Sequence, residues 1–514
     1  MSKEKESFLQ GIIYLMSSQI IIKILGMIYS LYLTNKKGFG DEGNAITMSG
    51  FQVYALILGI CAIGVPNAVS KMVSECLEMG NNRDCAKILK VSLIVFTTIG
   101  FIFSLVLYYG SNFIATKILY ISSSGEILRI LAPSIVFVSV EAVFRGYFNG
   151  IKKISISAKV ATLEQILKTI FTIISVEIIG NITNYNTELM AKASMLSASI
   201  ATISSFLYSF ILYKKINDFN IYNSSSIKSL TIILRELFSI IIPISLTSAI
   251  MIFESTIDSV TIVRLLKDKI GEIEAIKIYG IITSKVNLIV GLPLALNGAI
   301  SISLIPEISR NIIKHNNQKL EKNINFSNYI TLIISVPIMI IIMIYSKEII
   351  KFLYPNASRG HELLRLASVT IVLSCITQNI SGILQGIGDS KTHLYAVSIG
   401  MTLKLLLNFI LISNKNILEY GAIISTIVSD TIIFEVMYRK LRESFAVKFS
   451  LFSDFIKIFL ITIFSIFIIK IIFNKILFSF RMKFVLEMFF LVIIYLIVIL
   501  GINKFNFIRK KPRN

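Results

Sequence analysis

Apolar runs recur along the whole chain, and many approach the roughly 20 residues that a helix needs to cross a bilayer. Only 16% of the 514 residues are charged, against about 25% in soluble domains. Backbone groups inside a membrane have to be satisfied within helices or closed barrels. The sequence therefore predicts an all-α polytopic membrane protein.

Turn and charge signals between the apolar runs divide the chain into about fourteen transmembrane helices. The predicted limits are 9–33, 46–72, 88–110, 127–148, 155–179, 189–213, 233–265, 276–305, 325–346, 362–385, 391–413, 418–438, 452–473 and 484–503. The first run is not expected to be a cleaved signal, because "MSKEKESF" has mixed charge and the run continues to about Leu33. Spans seven and eight are long and interrupted by polar residues, so bends are expected there.

The formal net charge of +21 is concentrated largely in loops and in the tail "NKFNFIRKKPRN". Cytoplasmic loops of membrane proteins are enriched in Lys and Arg in this way, which argues against nucleic acid as the partner. The distribution predicts that both termini are cytoplasmic. Some of the excess lies inside spans, however, and loop bias does not explain that part.

Catalytic patterns are missing from the sequence. The four cysteines have no CxxC spacing and no nearby histidine, so buried thiols are expected rather than a disulfide or a metal site. There is no Ser/His/Asp set or phosphate loop at a usable spacing. No metal or cofactor is expected, and a transporter is favoured over an enzyme.

A weak internal repeat relates "YFNGIKKISISAKVATLEQILKTIF" (147–171) to "ILQGIGDSKTHLYAVSIGMTLKLLL" (383–407) without gaps. It aligns Gly150 with Gly386 and Lys168 with Lys404. The offset of 236 residues indicates two pseudo-repeated six-helix lobes around a central cavity, followed by two C-terminal helices. Equal halves of this kind are typical of transporters.

The repeat gives the following predicted division of the chain. Residues 1–213 form an N-terminal six-helix lobe, and 214–232 form a cytoplasmic linker. Residues 233–441 form the second six-helix lobe, and 442–514 hold the two extra helices and a basic tail.

Charged side chains inside the predicted spans are the strongest functional signal, since each costs at least about 2.5–3.5 kcal/mol at the bilayer centre. The cations at membrane depth or at the inner mouth are Lys23, Lys71, Arg145, Lys168, Lys285 and Lys404. The polar residues available to neutralise them or to bind a coupling ion are Glu164, Glu254, Asp258 and Asn408. Because the cations outnumber the acids, we expect a net-positive cavity that binds an anionic substrate.

Structural alternatives exist for several of these residues. Glu164 lies four residues before Lys168, so the two can form a buried pair on one helix face. Lys71 sits close enough to a span end to snorkel. Lys23 can be neutralised by either Glu254 or Asp258.

Five segments resemble one family of exporters: "FGDEGNAITMSGFQVYALILGICAIGVPNAVSKMVSE" (39–75), "FRGYFNG" (144–150), "TLEQILK" (162–168), "LNGAISISLIPEISR" (296–310) and "LQGIGDSK" (384–391). They are similar to the Gram-positive MurJ-type and stage V sporulation protein B-like exporters. The superfamily also holds polysaccharide flippases and MATE multidrug exporters. The likeness covers about residues 8–440.

The resemblance implies a two-lobed, fourteen-helix flippase of a bacterial cytoplasmic membrane. Its expected substrate is an undecaprenyl-pyrophosphate-linked cell-wall precursor, with lipid II first, in vegetative growth or sporulation. Lys23 and Lys71 match basic positions of the family, and Lys23 stands where many relatives have arginine, so a point-charge contact is expected. Coupling to Na⁺, H⁺ or the membrane potential stays open.

The expected partners are the lipid-linked substrate, membrane lipids and cell-wall synthesis proteins, and the protein itself is expected to be a monomer. Three other functions compete with lipid II export. A MATE-type drug exporter would use Glu254 and Asp258 as its cation site. The others are export of a different lipid-linked saccharide and a scaffold that transports nothing.

Overall fold

The computed structural model describes residues 8–216, 228–313, 317–444, 451–474 and 480–509, and these ranges contain α-helices and no strand. The α-helices are α1 (Phe8–Asn35), α2 (Gly40–Cys61), α3 (Val65–Glu78), α4 (Asn82–Phe113), α5 (Ser124–Leu131), α6 (Ser134–Gly150), α7 (Ile154–Ile182), α8 (Thr187–Ile216), α9 (Leu230–Ile270), α10 (Glu272–Gly280), α11 (Asn287–Ile313), α12 (Asn317–Leu353), α13 (His361–Gly386), α14 (Ser390–Leu411), α15 (Tyr420–Ser444), α16 (Leu451–Asn474) and α17 (Phe480–Arg509). Two π-helical segments, Ile114–Leu119 and Ile281–Val286, follow α4 and α10.

The described ranges contain thirteen helical stretches long and apolar enough to cross a membrane. The pair α5 and α6, bent by 42°, supplies a fourteenth if it counts as one span. The predicted all-α polytopic fold with about fourteen spans is therefore confirmed.

Several spans are broken where the sequence carries helix-breaking residues. The second span divides into α2 and α3, and Pro66 lies at the start of α3, where its missing N–H removes no helical hydrogen bond. The eighth span is interrupted by the π-helical segment before α11. The seventh span, α9, instead continues through Pro243.

The helices pack into two compact units, Met1–Ser284 and Lys285–Asn514. The first unit extends beyond the predicted linker at 214–232, because α9 and α10 both pack against α2. Close packing is clearest at Gly280, where a Cβ atom would lie 1.9 Å from the carbonyl oxygen of Asp41. The predicted lobes follow the repeat rather than the packing, and they stay a prediction.

In the first unit, α7 packs against α1 and α8, and α6 packs against α3, α4 and α8. Large side chains such as Phe144 and Phe148 are almost wholly buried on α6. The surrounding helices thereby fix the faces of α6 and α7 that carry charged residues.

In the second unit, α13 packs against α11, α12 and α15 and is buried over 67% of its most apolar stretch. Its contacts include neutral amides. Asn297 Nδ2 donates to the Cys375 carbonyl at 2.8 Å, and Thr331 Oγ1 donates to Asn297 Oδ1 at 2.9 Å. Asn379 Nδ2 donates to Asn328 Oδ1 at 2.7 Å.

The four cysteines of the chain are buried, as expected.

The predicted repeat has a counterpart in the helix boundaries. Gly150 ends α6 and Gly386 ends α13, while Ile154 begins α7 and Ser390 begins α14. Both pairs differ by the offset of 236 residues read from the sequence. Lys168 on α7 and Lys404 on α14 thus hold equivalent helical positions.

Candidate functional site

A cavity of about 590 Å³ lies inside the first unit, between α1, α2, α6, α7 and α8. We call it the first-unit cavity. Apolar side chains form most of its wall, and its polar lining residues are Gln19, Tyr54, Ser134, Glu141, Arg145, Glu164, Gln165, Lys168, Ser199 and Thr202. The volume falls within the range of small-molecule binding sites, about 300–1,000 Å³.

Arg145 is held between two carboxylates at one side of this cavity. Its Nε donates to Glu141 Oε1 at 2.7 Å, one helical turn earlier on α6, and its Nη2 lies 3.2 Å from Glu164 Oε2 on α7. Thr202 Oγ1 donates to Glu164 at 2.9 Å, and the Ser205 hydroxyl donates to Glu141. These bonds satisfy a partly buried ion cluster, in which Glu141 is the buried member, and an unpaired charge there would be costly.

Lys168 lines the same cavity, and it has no ion pair within the part of the chain that the structure describes. The sequence allowed it to pair with Glu164 one turn earlier, but Glu164 binds Arg145 instead. The Lys168 ammonium lies 5.4 Å from the ring centroid of Tyr29 and 5.0 Å from that of Phe51. Within the described residues, no carboxylate oxygen lies within 4.0 Å of it.

The charges of the lining are formally balanced, with Arg145 and Lys168 against Glu141 and Glu164. The excess of cations predicted for the cavity is therefore not found in this lining, because Glu141 is a second acid there. Both carboxylates are nevertheless bound to Arg145. The ammonium of Lys168 lines the cavity beside two aromatic rings, with no ion pair among the described residues, and an anionic group can bind there.

The other predicted residues of the first unit lie outside this lining. Lys23 is exposed on α1. Lys71 is exposed on α3, with its ammonium 3.9 Å from Glu75. On α9, Glu254 is half-buried and Asp258 is buried. The first-unit cavity thus brings together Arg145, Glu164 and Lys168 from the predicted set.

The remaining predicted residues belong to the second unit and are buried. Lys285 is fully buried, and its ammonium donates to the carbonyls of Ala357 at 2.6 Å and Arg359 at 3.3 Å. These bonds fix the loop between α12 and α13. Lys404 and Asn408 lie one turn apart on α14, each with 2% or less of its surface exposed. The role of these residues in substrate binding stays a prediction.

Sequence reasoning missed seven of the ten polar residues that line the cavity, among them Glu141, Gln19 and Gln165. Glu141 could have been found, because it stands four residues before Arg145 and that spacing places both on one helix face. The two glutamines carry no charge, so a search for buried charges did not select them.

Similarity to known proteins shows the family of this chain. The sequence profile of the family described as "Polysaccharide biosynthesis protein" matches residues 8–312, more than half of the chain. The chain belongs to the polysaccharide biosynthesis protein family. A second profile, MatE, matches residues 243–410 of this family member.

Two curated relatives come from Bacillus subtilis (strain 168). Lipid II flippase MurJ is 26% identical over 440 residues, which cover 81% of this chain and 79% of the relative. Stage V sporulation protein B is 22% identical over 426 residues, which cover 82% of this chain and 81% of the relative.

A solved structure of lipid II flippase MurJ, in an inward closed conformation, has the same fold. The match covers 94% of this chain and 96% of that one, with a TM-score of 0.71 at 18% identity. The resemblance read from the sequence motifs is confirmed. This polysaccharide biosynthesis family member is an integral membrane flippase or exporter of the MurJ-like and sporulation protein B-like group.

Proposed function

We propose that this protein moves an undecaprenyl-pyrophosphate-linked cell-wall precursor, with lipid II as the first candidate, across a bacterial cytoplasmic membrane. The observation that carries the proposal is the ammonium of Lys168 in the first-unit cavity, which lacks an ion pair within 4.0 Å among the described residues. A diphosphate would supply the missing negative charge. The name of one curated relative, lipid II flippase MurJ, points to the same substrate.

In this proposal, different residues around Lys168 bind different parts of the substrate headgroup. The ammonium binds the diphosphate as a point charge, where the reduced dielectric strengthens the attraction. Gln19 and Gln165 each offer an amide N–H₂ and a carbonyl to the saccharide. Arg145, fixed by Glu141 and Glu164, keeps the neighbouring part of the cavity wall polar.

Transport by alternating access completes the proposal, with no covalent step and therefore no enzymatic activity. Both termini lie in the cytoplasm, as the basic loops suggest. Transport is driven by a Na⁺ or H⁺ gradient or by the membrane potential. Glu254 and Asp258 are the candidate residues for binding a coupling cation. The protein acts as a monomer and needs no cofactor.

A second candidate function is cation-coupled export of a drug-like molecule. The MatE profile favours it, since the matched range 243–410 includes Glu254 and Asp258. In that case the carboxylates of α9 would carry the coupling cation.

The test is translocation by the full-length protein in proteoliposomes. Lipid II, a lipid-linked teichoic acid precursor, a lipid-linked capsular precursor and a cationic dye would be measured side by side. We expect lipid II to cross fastest, and Lys168→Ala to slow it by about tenfold or more, the effect of one charge-assisted contact. Lys159→Ala is the matched control, because Lys159 is an exposed lysine on the same helix.

Each alternative gives a different result in this assay. Faster transport of either other precursor would replace lipid II by that saccharide. Transport of the dye alone would support the drug exporter. Equal lipid II transport by wild type and Lys168→Ala would contradict the role of the first-unit cavity.

A further inference from the structure

A second cavity of about 590 Å³ lies within the second unit, at the ends of α12, α16 and α17. We call it the α12–α17 cavity. It is lined by Ile344, Tyr345, Glu348, Phe467, Lys470, Ile471, Phe480, Lys483, Phe484 and Glu487. The C-terminal ends of α12 and α16 meet the N-terminal end of α17 there, so the cavity lies near one face of the membrane. Lipid headgroups and interfacial aromatic residues occupy that level.

The lining carries two lysines, Lys470 and Lys483, and two glutamates, Glu348 and Glu487. Their formal charges cancel. Among the described residues, none of the four has an ion-pair partner within 4.0 Å, although the other three charges act electrostatically on Glu487. Opposite charges on long side chains at a membrane face would be expected to close on each other. Here all four line one cavity instead.

Aromatic rings lie among these charges in the lining. Tyr345 packs against Phe484 with ring centroids 6.5 Å apart, and Phe480 stacks on Phe484 at 6.4 Å. The ammonium of Lys470 lies 5.5 Å from the ring centroid of Tyr345. These rings form one wall of the cavity and direct one lysine towards it.

Tyr345 supplies an independent sign of a ligand. Only 5% of this residue is exposed, and its hydroxyl has no hydrogen-bond partner in the described structure. A buried polar group left unsatisfied costs about 1–3 kcal/mol. Tyr345 also stands where α12 departs from helical geometry, with φ −105° and ψ 18°. The kink and the unsatisfied donor coincide with the cavity wall.

We propose that the α12–α17 cavity binds a phospholipid headgroup that carries both a phosphate and a primary ammonium, as phosphatidylethanolamine does. The phosphate lies between Lys470 and Lys483, and on binding it accepts a hydrogen bond from the Tyr345 hydroxyl, which neighbouring groups cover in this structure. The ammonium donates to Glu348 and Glu487. A ligand with both charges satisfies all five groups, whereas a purely anionic headgroup would leave the two carboxylates opposed to it.

The acyl chains have a matching surface beside the headgroup. Phe467 and Ile471 of α16 line the cavity and are 61% and 59% exposed. In a membrane these side chains face hydrocarbon, so a lipid seated with its headgroup in the cavity can lay its chains along α16. The lipid bound here is separate from the transported substrate proposed for the first unit.

The experiment is native mass spectrometry of the full-length protein with phosphatidylethanolamine, phosphatidylglycerol or phosphatidylcholine added at equal concentration. We expect the wild type to retain phosphatidylethanolamine about tenfold better than phosphatidylglycerol. Phosphatidylcholine, whose ammonium has no N–H, should also be retained less. Equal retention of the three lipids, or preference for phosphatidylglycerol, would overturn the proposal.

Charge variants make the test sharper. Lys470→Gln with Lys483→Gln should weaken retention of all three lipids, because the phosphate loses both cations. Glu348→Gln with Glu487→Gln should reverse the preference towards phosphatidylglycerol. Lys347→Gln is the control, since Lys347 is an exposed lysine of α12 outside the lining. Wild-type retention in the lysine double variant, or unchanged selectivity in the glutamate double variant, would contradict the assignment.

A milder variant guards against misfolding of the double variants. Tyr345→Phe keeps the ring and removes only the hydroxyl, so the helix packing should be retained. We expect a loss of phosphatidylethanolamine retention of about threefold to tenfold. A folded Tyr345→Phe protein that retains the lipid as well as the wild type would exclude the hydroxyl from the site.

Discussion

The first and second units handle polar groups at membrane depth in different ways. In the first unit, Arg145 and Lys168 line an open cavity, and the acids bound to Arg145 leave Lys168 without an ion pair within 4.0 Å in the described chain. In the second unit, polar groups on α11 and α13 such as Asn297 bond to neighbouring protein groups. A polar residue at membrane depth is thus a candidate for substrate binding only when its side chain is not already bonded to other groups of the protein.

Lys168 and Lys404 show the difference at one position of the repeat. Each lies on the helix that follows the glycine turn, yet Lys168 lines a cavity and Lys404 is only 2% exposed. The side chain of Lys404 has interactions within the protein. We therefore expect loss of Lys168 to affect transport and loss of Lys404 to affect stability.

The largest expected effect concerns the ion cluster of the first unit. Arg145→Ala leaves the carboxylates of Glu141 and Glu164 together without their cation, so unfolding should become easier by about 3–5 kcal/mol. Thermal unfolding in detergent measures this. Arg439→Ala is the matched control, because Arg439 also binds a glutamate one turn earlier, Glu435, but on an exposed face. That change should cost less than about 1 kcal/mol, and equal losses would refute the burial argument.

The next effect compares the two repeat positions directly. Lys404→Met removes a buried ammonium from its protein partners and should lower the free energy of unfolding by about 3 kcal/mol. Lys168→Met removes an ammonium that has no ion pair within 4.0 Å in the described chain, and the loss should stay below about 1 kcal/mol. The measurement is the free energy of unfolding of the two variants, determined in parallel with the wild type. Similar losses would mean that the two lysines do not differ as described.

The smallest effect concerns the amides of the second unit. Asn297→Ala removes the donor to the Cys375 carbonyl and the acceptor of the Thr331 hydroxyl. We expect a loss of about 2 kcal/mol in stability, because buried groups are left unsatisfied. Lipid II translocation by the folded protein should be unchanged. A transport defect without a stability defect would move the functional site towards the second unit.

Much of the fold follows from the sequence, because each apolar run is long enough to define its own span. The breaks are predicted less well. Pro66 marks the division between α2 and α3, but Pro243 stands inside a continuous α9. A proline signals a lost hydrogen bond, and packing against neighbouring helices decides whether the helix bends.

The site is only partly predictable for a similar reason. Helical spacing places Glu164 on the same face as Lys168, yet Glu164 binds Arg145 on the adjacent helix α6. Residue spacing within one helix does not predict its contacts with a neighbouring helix. Lys285 binds the carbonyls of a loop more than 70 residues away, and no local sequence pattern predicts such a contact.

The central claim is that Lys168 binds the anionic headgroup of the substrate. Its most direct test is the affinity of the full-length protein for lipid II in nanodiscs, measured for wild type, Lys168→Ala, Lys168→Arg and Lys159→Ala. The account predicts that Lys168→Ala binds about tenfold more weakly or worse, that Lys168→Arg stays within about threefold, and that Lys159→Ala matches the wild type. Wild-type affinity in a folded Lys168→Ala protein would contradict it.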